Sequence, residues 1–205
     1  MERQQILKKF KDAIFNTVKS FYNNPFIFFY EEDLRVFITH KLIEESFEKV
    51  KFEIKKDFQN HLGKNPIYSL PIKAEYPPTS KKKKRFDIVY LENNGFDFYN
   101  LPVTVALELK LGSKIYDRCN KFKDDIKKLV ESLSTKGDLN FCGIALYFYQ
   151  NDDSLANINK DFGETTLFEE FVIAKEFNLT DNLVHVFIIT PTRIYYSEKH
   201  TNAAP

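Results

Sequence analysis

Tryptophan is absent from this sequence, and cysteine, methionine and glycine are scarce: the 205 residues include two Cys, one Met and six Gly. Cys119 and Cys142 show no Cys-x-x-Cys spacing, so the common zinc-binding and thiol-redox signatures are excluded. The chain also lacks a Gly-rich phosphate-binding loop and a Gly-x-Ser-x-Gly segment. The four histidines are scattered and form no convincing catalytic set, and His185, which alternates with Val184 and Val186, is expected to be structural.

A strong charge of one sign is missing too, since the formal net charge is only +1. Any attraction to nucleic acid must therefore come from local patches. No apolar run approaches the roughly 20 residues that cross a membrane. Residues 1–11 are polar and charged, which predicts no signal peptide. Together with the unpaired cysteines, these features lead us to expect a cytoplasmic protein with no membrane partner.

Apolar periodicity is what the sequence does contain, with 43% hydrophobic residues, among them 21 Phe and 11 Tyr. We expect a single domain with a helical segment at about 1–48, a core at about 31–150, and a C-terminal helix and strands at about 164–197. The pattern predicts, in order, helices at 4–22 and 31–48, strands at 50–54, 67–74, 85–91, 96–99 and 101–110, a helix at 116–133, a buried strand at 141–149, a helix at 167–177, and strands at 184–189 and 194–196.

Two of these strands carry charged residues where a core strand would be apolar. Asp87 lies within Arg85–Tyr90, and Glu108 and Lys110 lie within Val103–Lys110. Because side chains alternate along a strand, Glu108 and Lys110 should share one face while Leu107 and Leu109 share the other. Asn94-Gly95 is a strong hairpin signal between the two strands, so we expect them to be neighbours.

Two carboxylates and an ammonium on one sheet face suggest metal-assisted hydrolysis. A carboxylate among apolar neighbours is costly to bury unless it is paired or binds a metal. Two carboxylates suit a hard cation such as Mg²⁺, which keeps several of its waters. A nearby lysine can position an attacking water, and this is the chemistry that phosphodiester hydrolysis needs.

Asp87 followed by Glu108-Leu109-Lys110 resembles the PD-(D/E)xK nuclease superfamily, although Phe86 stands where that family often has proline. The resemblance spans about residues 31–149 and implies an α/β, restriction endonuclease-like domain with a central mixed β-sheet flanked by helices. It further implies that Asp87 and Glu108, with the carbonyl of Leu109, bind Mg²⁺ or Mn²⁺. Lys110 would position the attacking water, and the substrate would be DNA.

The same resemblance implies a glutamate on the preceding helix. Glu31 shares the inward face of Leu34 and Ile38 and is the better candidate, with Glu32 in reserve. Both could instead simply favour the positive end of the helix dipole.

Basic residues near the motif are candidates for phosphate contact. Lys81, Lys82, Lys83, Lys84 and Arg85 precede Asp87 directly, and they form either a phosphate clamp or a solvated loop. In and before the helix that follows the Glu-x-Lys strand, the candidates are Lys114, Arg118, Lys121 and Asn120. Each of these could equally be an exposed residue.

Two other interpretations stay open. The chain could be a catalytically inactive module on the same scaffold that binds nucleic acid or a protein partner. It could also be an unrelated α/β protein in which Glu108 and Lys110 lie on an exposed sheet face. The form of the substrate and the oligomeric state, a homodimer included, are not determined by these patterns.

Overall fold

A computed structural model of the chain describes residues 1–45, 47, 49–52, 67–76, 85–92, 102–112, 115–135, 140–152, 156, 159–160, 169–171 and 177–199. For residues 50–52, 67–68, 115–120, 134–135 and 169–171 it describes the backbone alone. The predicted strand at 96–99 lies outside these ranges.

The described residues form three long helices: α1 (Arg3–Asn23), α2 (Glu31–Glu44) and α3 (Ile115–Thr135). All three confirm the predicted periodicity, but α2 ends earlier than the predicted residue 48, just after its last buried apolar residue, Leu42. Asp33 accepts hydrogen bonds from the backbone N–H groups of Phe29 and Tyr30, both at 3.0 Å, and so fixes the start of α2. In the part of the chain that is described, no helix combines the length and apolar character needed to cross a membrane.

Nine strands are described: β1 (Val50–Phe52), β2 (Ile67–Ser69), β3 (Ile72–Tyr76), β4 (Phe86–Leu91), β5 (Val103–Gly112), β6 (Cys142–Tyr149), β7 (Glu169–Phe171), β8 (Leu183–Ile189) and β9 (Ile194–Lys199). β1 and β2 form a two-stranded antiparallel sheet, and the other seven form a sheet in the order β3-β4-β5-β6-β8-β9-β7.

Two predicted elements are wrong. The single strand expected at 67–74 is interrupted at Leu70 and Pro71, so β2 and β3 belong to different sheets. Part of the helix expected at 167–177 is strand β7, which pairs antiparallel with β9 at the edge of the large sheet. Its backbone hydrogen bonds are made with β9, a tertiary contact that helical periodicity does not reveal.

The large sheet is mixed. β3, β4 and β5 are successively antiparallel, whereas β5, β6 and β8 run parallel to one another. Every residue of β6 is buried, which confirms the predicted central strand. The chain is therefore an α/β domain with a mixed sheet flanked by helices.

The two faces of the sheet have separate cores. Helices α1 and α2 pack with Leu107 and Leu109 on one face. Helix α3 packs on the other face, where Ala106 and Tyr147 are in the same cluster as Phe122. Since side chains alternate along β5, Glu108 and Lys110 share the α3 face with Ala106, as the sequence predicts.

Gly143 on β6 permits close packing of α3. A Cβ atom at this position would lie 3.3 Å from Leu129 Cβ of α3 and 3.0 Å from Val184 Cγ2 of β8. The absence of a side chain thus brings α3, and the charged residues beside Leu129, close to β5 and β6.

Candidate active site at strands β4 and β5 and helices α2 and α3

Asp87 is fixed by the pairing of β4 with β5. Ile88 lies opposite Leu107 in the antiparallel register. The residue before Ile88, Asp87, therefore lies opposite the residue after Leu107, Glu108. Asp87 Oδ2 accepts a hydrogen bond of 2.7 Å from the backbone N–H of Leu109. The predicted adjacency of the two motif strands is confirmed, and both carboxylates come from rigid sheet positions.

Glu108 is the most deeply buried charged residue of the motif, with 2% of its surface exposed. Burial raises the pKa of Glu108 to about 9, although the nearby Lys128 ammonium opposes this and Asp87 adds to it. Lys128 Nζ lies 2.5 Å from Glu108 Oε1 and donates a hydrogen bond of 2.7 Å to the Arg85 carbonyl. Helix α3 therefore supplies the cation that accompanies the buried carboxyl group.

Lys110 lies between two further carboxylates. Its Nζ is 3.1 Å from Glu31 Oε1 at the start of α2 and 3.1 Å from Asp125 Oδ2 on α3. Burial alone would lower the pKa of Lys110, but Asp125 and Glu31 outweigh it and raise the pKa above its usual value. Lys110 is consequently a charged ammonium at neutral pH, held by both helices.

Arg35 of α2 brings a third cation to the site. Its guanidinium is 3.6 Å from Asp87 Oδ1, contacts Glu75 of β3, and is 3.4 Å from Glu32. Burial raises the pKa of Asp87, and the Leu109 N–H, Lys110 and Arg35 counteract this only in part. Burial thus outweighs the hydrogen bond and the cations that favour the ionised form of Asp87.

Four of the predicted site residues come together here: Glu31, Asp87, Glu108 and Lys110. Leu109, the predicted carbonyl ligand, contributes its N–H to Asp87. The reserve candidate Glu32 is 72% exposed and contacts Arg35 rather than Lys110.

Of the predicted phosphate contacts, only Arg85 and Lys121 have described side chains, and neither side chain joins this cluster. Arg85 is exposed and contributes its backbone carbonyl, and Lys121 lies on the exposed side of α3. Lys81, Lys82, Lys83, Lys84 and Lys114 lie outside the described residues. Arg118 and Asn120 belong to α3, but their side chains are outside the described part.

Three charged residues of the site were missed by the sequence analysis: Arg35, Asp125 and Lys128. A signal for two of them exists, because Asp125 and Lys128 are three residues apart and interleave with the buried Phe122, Ile126 and Leu129. Such spacing places both on the edge of the inward face of α3. Arg35 has a similar signal, since it directly follows Leu34 and precedes Ile38 by one turn.

The donor set favours a hard cation. Around the motif, the described side chains include four carboxylates, Glu31, Asp87, Glu108 and Asp125, but three cations, Arg35, Lys110 and Lys128. Burial raises the pKa of both strand carboxyl groups, and a bound cation would favour their ionised forms. Among the described residues, however, no three His, Cys, Asp or Glu side chains are already grouped as a metal site. Mg²⁺ fits this set because it needs only one or two carboxylates and otherwise retains water.

Comparison with protein-family models, with curated protein sequences and with solved structures finds no match for this chain. A fold alone does not define a function, so the geometry of the site is what indicates the chemistry.

Proposed function

We propose that this protein is a metal-dependent nuclease of the PD-(D/E)xK type that hydrolyses DNA. The observation that carries the proposal is the meeting of Glu31, Asp87, Glu108 and Lys110, which come from one helix and two strands. The order of elements supports it as well. Within the large sheet, the antiparallel strands β3, β4 and β5 come after α2 in the chain and before α3 and the parallel strand β6, as the resemblance implies for a restriction endonuclease-like domain.

Asp87 and Glu108 would hold Mg²⁺ or Mn²⁺, with the carbonyl of Leu109 as a further oxygen ligand. When bound, the cation supplies Lewis-acid polarisation of the phosphate and a water of lowered pKa. Asp87 is prepared for this role because its orientation is fixed by the Leu109 N–H. Glu108 is the ligand that would have to exchange its contact with Lys128.

Lys110 would orient the attacking water and stabilise negative charge on the phosphate. Its raised pKa keeps the proton on Nζ, so its contribution is that of a fixed cation rather than a general base. Glu31 and Asp125 act as positioning residues, because each lies 3.1 Å from Nζ.

A second candidate function is a catalytically inactive module that binds nucleic acid or a protein partner. One observation favours it: Lys128 Nζ lies 2.5 Å from Glu108 Oε1, where its ammonium competes with a metal for the carboxylate. An ion pair of this kind can serve structure alone.

Cleavage and metal binding by matched variants distinguish the two candidates. Plasmid, linear duplex, single-stranded and branched DNA are incubated with Mg²⁺ or Mn²⁺. Asp87→Asn should abolish cleavage and weaken Mn²⁺ binding, measured by calorimetry, because it removes a ligand charge. Lys110→Ala should abolish cleavage but retain Mn²⁺ binding. The exposed Lys127→Ala on α3 serves as the matched control and should leave both properties unchanged.

The outcomes are decisive. If the unmodified protein binds DNA but cuts none of these substrates, the inactive module is the correct function. If it takes up no metal and neither binds nor cuts DNA, the motif is coincidental and the nuclease proposal is wrong. Of the second candidate, only a module that binds a protein partner would then be left.

A further inference from the structure

Lys128 is a buried cation on α3, with 10% of its side chain exposed. Its Nζ lies 2.5 Å from Glu108 Oε1, donates a hydrogen bond of 2.7 Å to the Arg85 carbonyl, and lies 5.3 Å from the centre of the Phe86 ring. Little of this side chain reaches water. An ammonium that loses Glu108 as its partner therefore needs a second anion close by, because an unpaired buried charge is costly.

Asp125, one turn before Lys128 on α3, is that second anion. Its Oδ1 is 3.7 Å from Lys128 Nζ, whereas its Oδ2 is 3.1 Å from Lys110 Nζ. A shift of roughly 1 Å would bring Lys128 Nζ within charge-assisted hydrogen-bond distance of Oδ1. The two side chains are neighbours because they lie three residues apart on one helix. Asp125 is not a proposed metal ligand, so it can accept Lys128 without competing for the ion.

Arg35 shows a comparable arrangement beside the other strand carboxylate. Its guanidinium is 3.6 Å from Asp87 Oδ1, but it contacts Glu75 and lies 3.4 Å from Glu32, neither of which is a proposed ligand. The cation beside Asp87 is thus already held by other carboxylates. At Glu108, by contrast, the cation makes its shortest contact with the proposed ligand itself.

We infer that Lys128 is a tethered cation that controls metal binding at Glu108, and that Asp125 receives its ammonium when Glu108 takes up a divalent cation. The inference rests on the proposed metal site of Asp87 and Glu108. The affinity for metal is then set by an exchange of ion pairs, in which Glu108 loses Lys128 and Asp125 gains it. Because the competing ammonium is part of the protein, it lowers the affinity at every metal concentration.

The exchange also affects Lys110, because Lys110 and Lys128 share Asp125. When Lys128 lies against Oδ1, the negative charge of Asp125 is divided between two ammonium groups, and this carboxylate holds Lys110 less strongly. Glu31, 3.1 Å from Lys110 Nζ, takes no part in the exchange and keeps the side chain at the site. The metal-free protein therefore holds the proposed water-orienting lysine more firmly than the loaded protein does.

Calorimetric titration of Mn²⁺ into the metal-free protein at neutral pH tests the competition. Lys128→Met keeps most of the side-chain volume and should lower the Mn²⁺ dissociation constant at least about tenfold, because it removes a positive charge beside the ion. The direction is the same for ionised and for protonated Glu108, since the ammonium repels the ion in both cases.

Two further variants complete this titration. Lys128→Gln also lacks the charge but can still donate a hydrogen bond to Glu108, so it replaces Lys128→Met should the latter fail to fold. The exposed Lys127→Met on α3 is the matched control, and its Mn²⁺ dissociation constant should equal that of the unmodified protein.

A double-mutant cycle tests the receiving carboxylate. Asp125→Asn in the unmodified chain should raise the Mn²⁺ dissociation constant several-fold, because the displaced ammonium no longer has Asp125 as its second anion. In the Lys128→Met or Lys128→Gln background the same change should have a clearly smaller effect, since no ammonium has to be received. The exposed neighbour Asp124→Asn is the control in both backgrounds and should change the dissociation constant little.

Metal binding, not DNA cleavage, is the readout, so the outcomes separate this inference from the nuclease proposal. A chain that shows the expected Mn²⁺ affinities but cuts no DNA would refute the nuclease and support the exchange. Uptake of Mn²⁺ by Lys128→Met but not by the unmodified chain, lost again when Asp87→Asn is added, would do the same.

Two results would overturn the inference and leave the metal site in place. The first is a dissociation constant in folded Lys128→Met and Lys128→Gln that is no lower than in Lys127→Met. The second is an equal effect of Asp125→Asn with and without Lys128. A lack of Mn²⁺ uptake by every folded variant would overturn both the exchange and the metal-dependent nuclease.

Discussion

Glu108 of β5 and Lys128 of α3 meet at 2.5 Å in the interior of the domain. The contact joins the helix to the sheet through charge, while Phe122 and Leu129 join it through apolar packing. The same contact bears on the proposed activity, because Glu108 is one of the two strand carboxylates proposed to bind metal. Any metal that enters must share Glu108 with Lys128 or displace it.

Loss of the Lys128 charge should destabilise the metal-free protein. Lys128→Met retains most of the side-chain volume but leaves Glu108 without its cation. We expect the loss in the free energy of unfolding to be largest above the raised pKa of Glu108, about 9, where the carboxylate is ionised. There it should reach about 2–4 kcal/mol, since breaking one side of a buried ion pair is strongly destabilising. Urea denaturation measures the change, with the exposed neighbour Lys127→Met as the control. The double variant Lys128→Met/Glu108→Gln should recover part of the loss. Equal stability of Lys128→Met and Lys127→Met would show that the contact is not stabilising.

Glu31 and Glu32 should differ sharply in their effect on DNA cleavage. Glu31→Gln removes one of the two carboxylates that hold Lys110, so the ammonium should be less well positioned. We expect cleavage to fall on the order of ten- to hundredfold, as for other small losses of alignment. Glu32→Gln changes an exposed neighbour and should have a far smaller effect. Initial cleavage rates at saturating Mg²⁺ provide the measurement. If Glu32→Gln lowered the cleavage rate more than Glu31→Gln, Glu32 would be the functional helix carboxylate.

Manganese should stabilise the folded protein through Asp87. A ligand that binds only the native state adds about 2.7 kcal/mol at one hundred times its dissociation constant. We therefore expect the melting temperature to rise with Mn²⁺ concentration and to fall again when a chelator is added. Asp87→Asn should lose most of this shift, whereas Asp124→Asn, at an exposed position on α3, should retain it. An identical shift in Asp87→Asn would place the ion elsewhere.

The sequence made part of this site predictable. Asp87 and Glu108 were recognisable because each interrupts an apolar strand, and a hairpin signal lay between them. Alternation along β5 then predicted correctly that Lys110 shares a face with Glu108. These are local properties of strands, which a single sequence records directly.

Other features depend on tertiary contacts. The pairing of Lys128 with Glu108 is set by how α3 crosses the sheet, and the close approach at Gly143 is part of that packing. Helical spacing identifies Asp125 and Lys128 as bordering the inner face, but it does not identify their partners. In the same way, β7 is a strand because its backbone pairs with β9. This pairing partner lies far away in the sequence, so the local periodicity of residues 169–171 does not predict it.

His185 should make stability depend on pH in the mildly acidic range. It is fully buried on β8: Nε2 accepts a hydrogen bond of 3.0 Å from the Thr180 N–H, and Nδ1 lies 2.7 Å from Tyr196 Oη. Burial lowers the pKa of His185, and Thr180 and Glu198 offset this only partly. The unfolded chain therefore takes up a proton near pH 6.5, whereas the folded chain does so at a lower pH.

The contribution of His185 to the free energy of unfolding is consequently present above about pH 6.5. It is lost as the pH falls toward the pKa of His185 in the folded protein, by at most about 1.4 kcal/mol per pH unit. His185→Gln removes this titration, so the slope of unfolding free energy against pH should become shallower in that window, whatever the absolute stability of the variant. Asn140→Gln, at an exposed position that does not titrate, should keep the slope of the unmodified protein. Urea denaturation at intervals between pH 5 and pH 8 measures all three curves. Parallel curves for the unmodified protein and His185→Gln would mean that the imidazole gains its proton equally well in the folded and unfolded states.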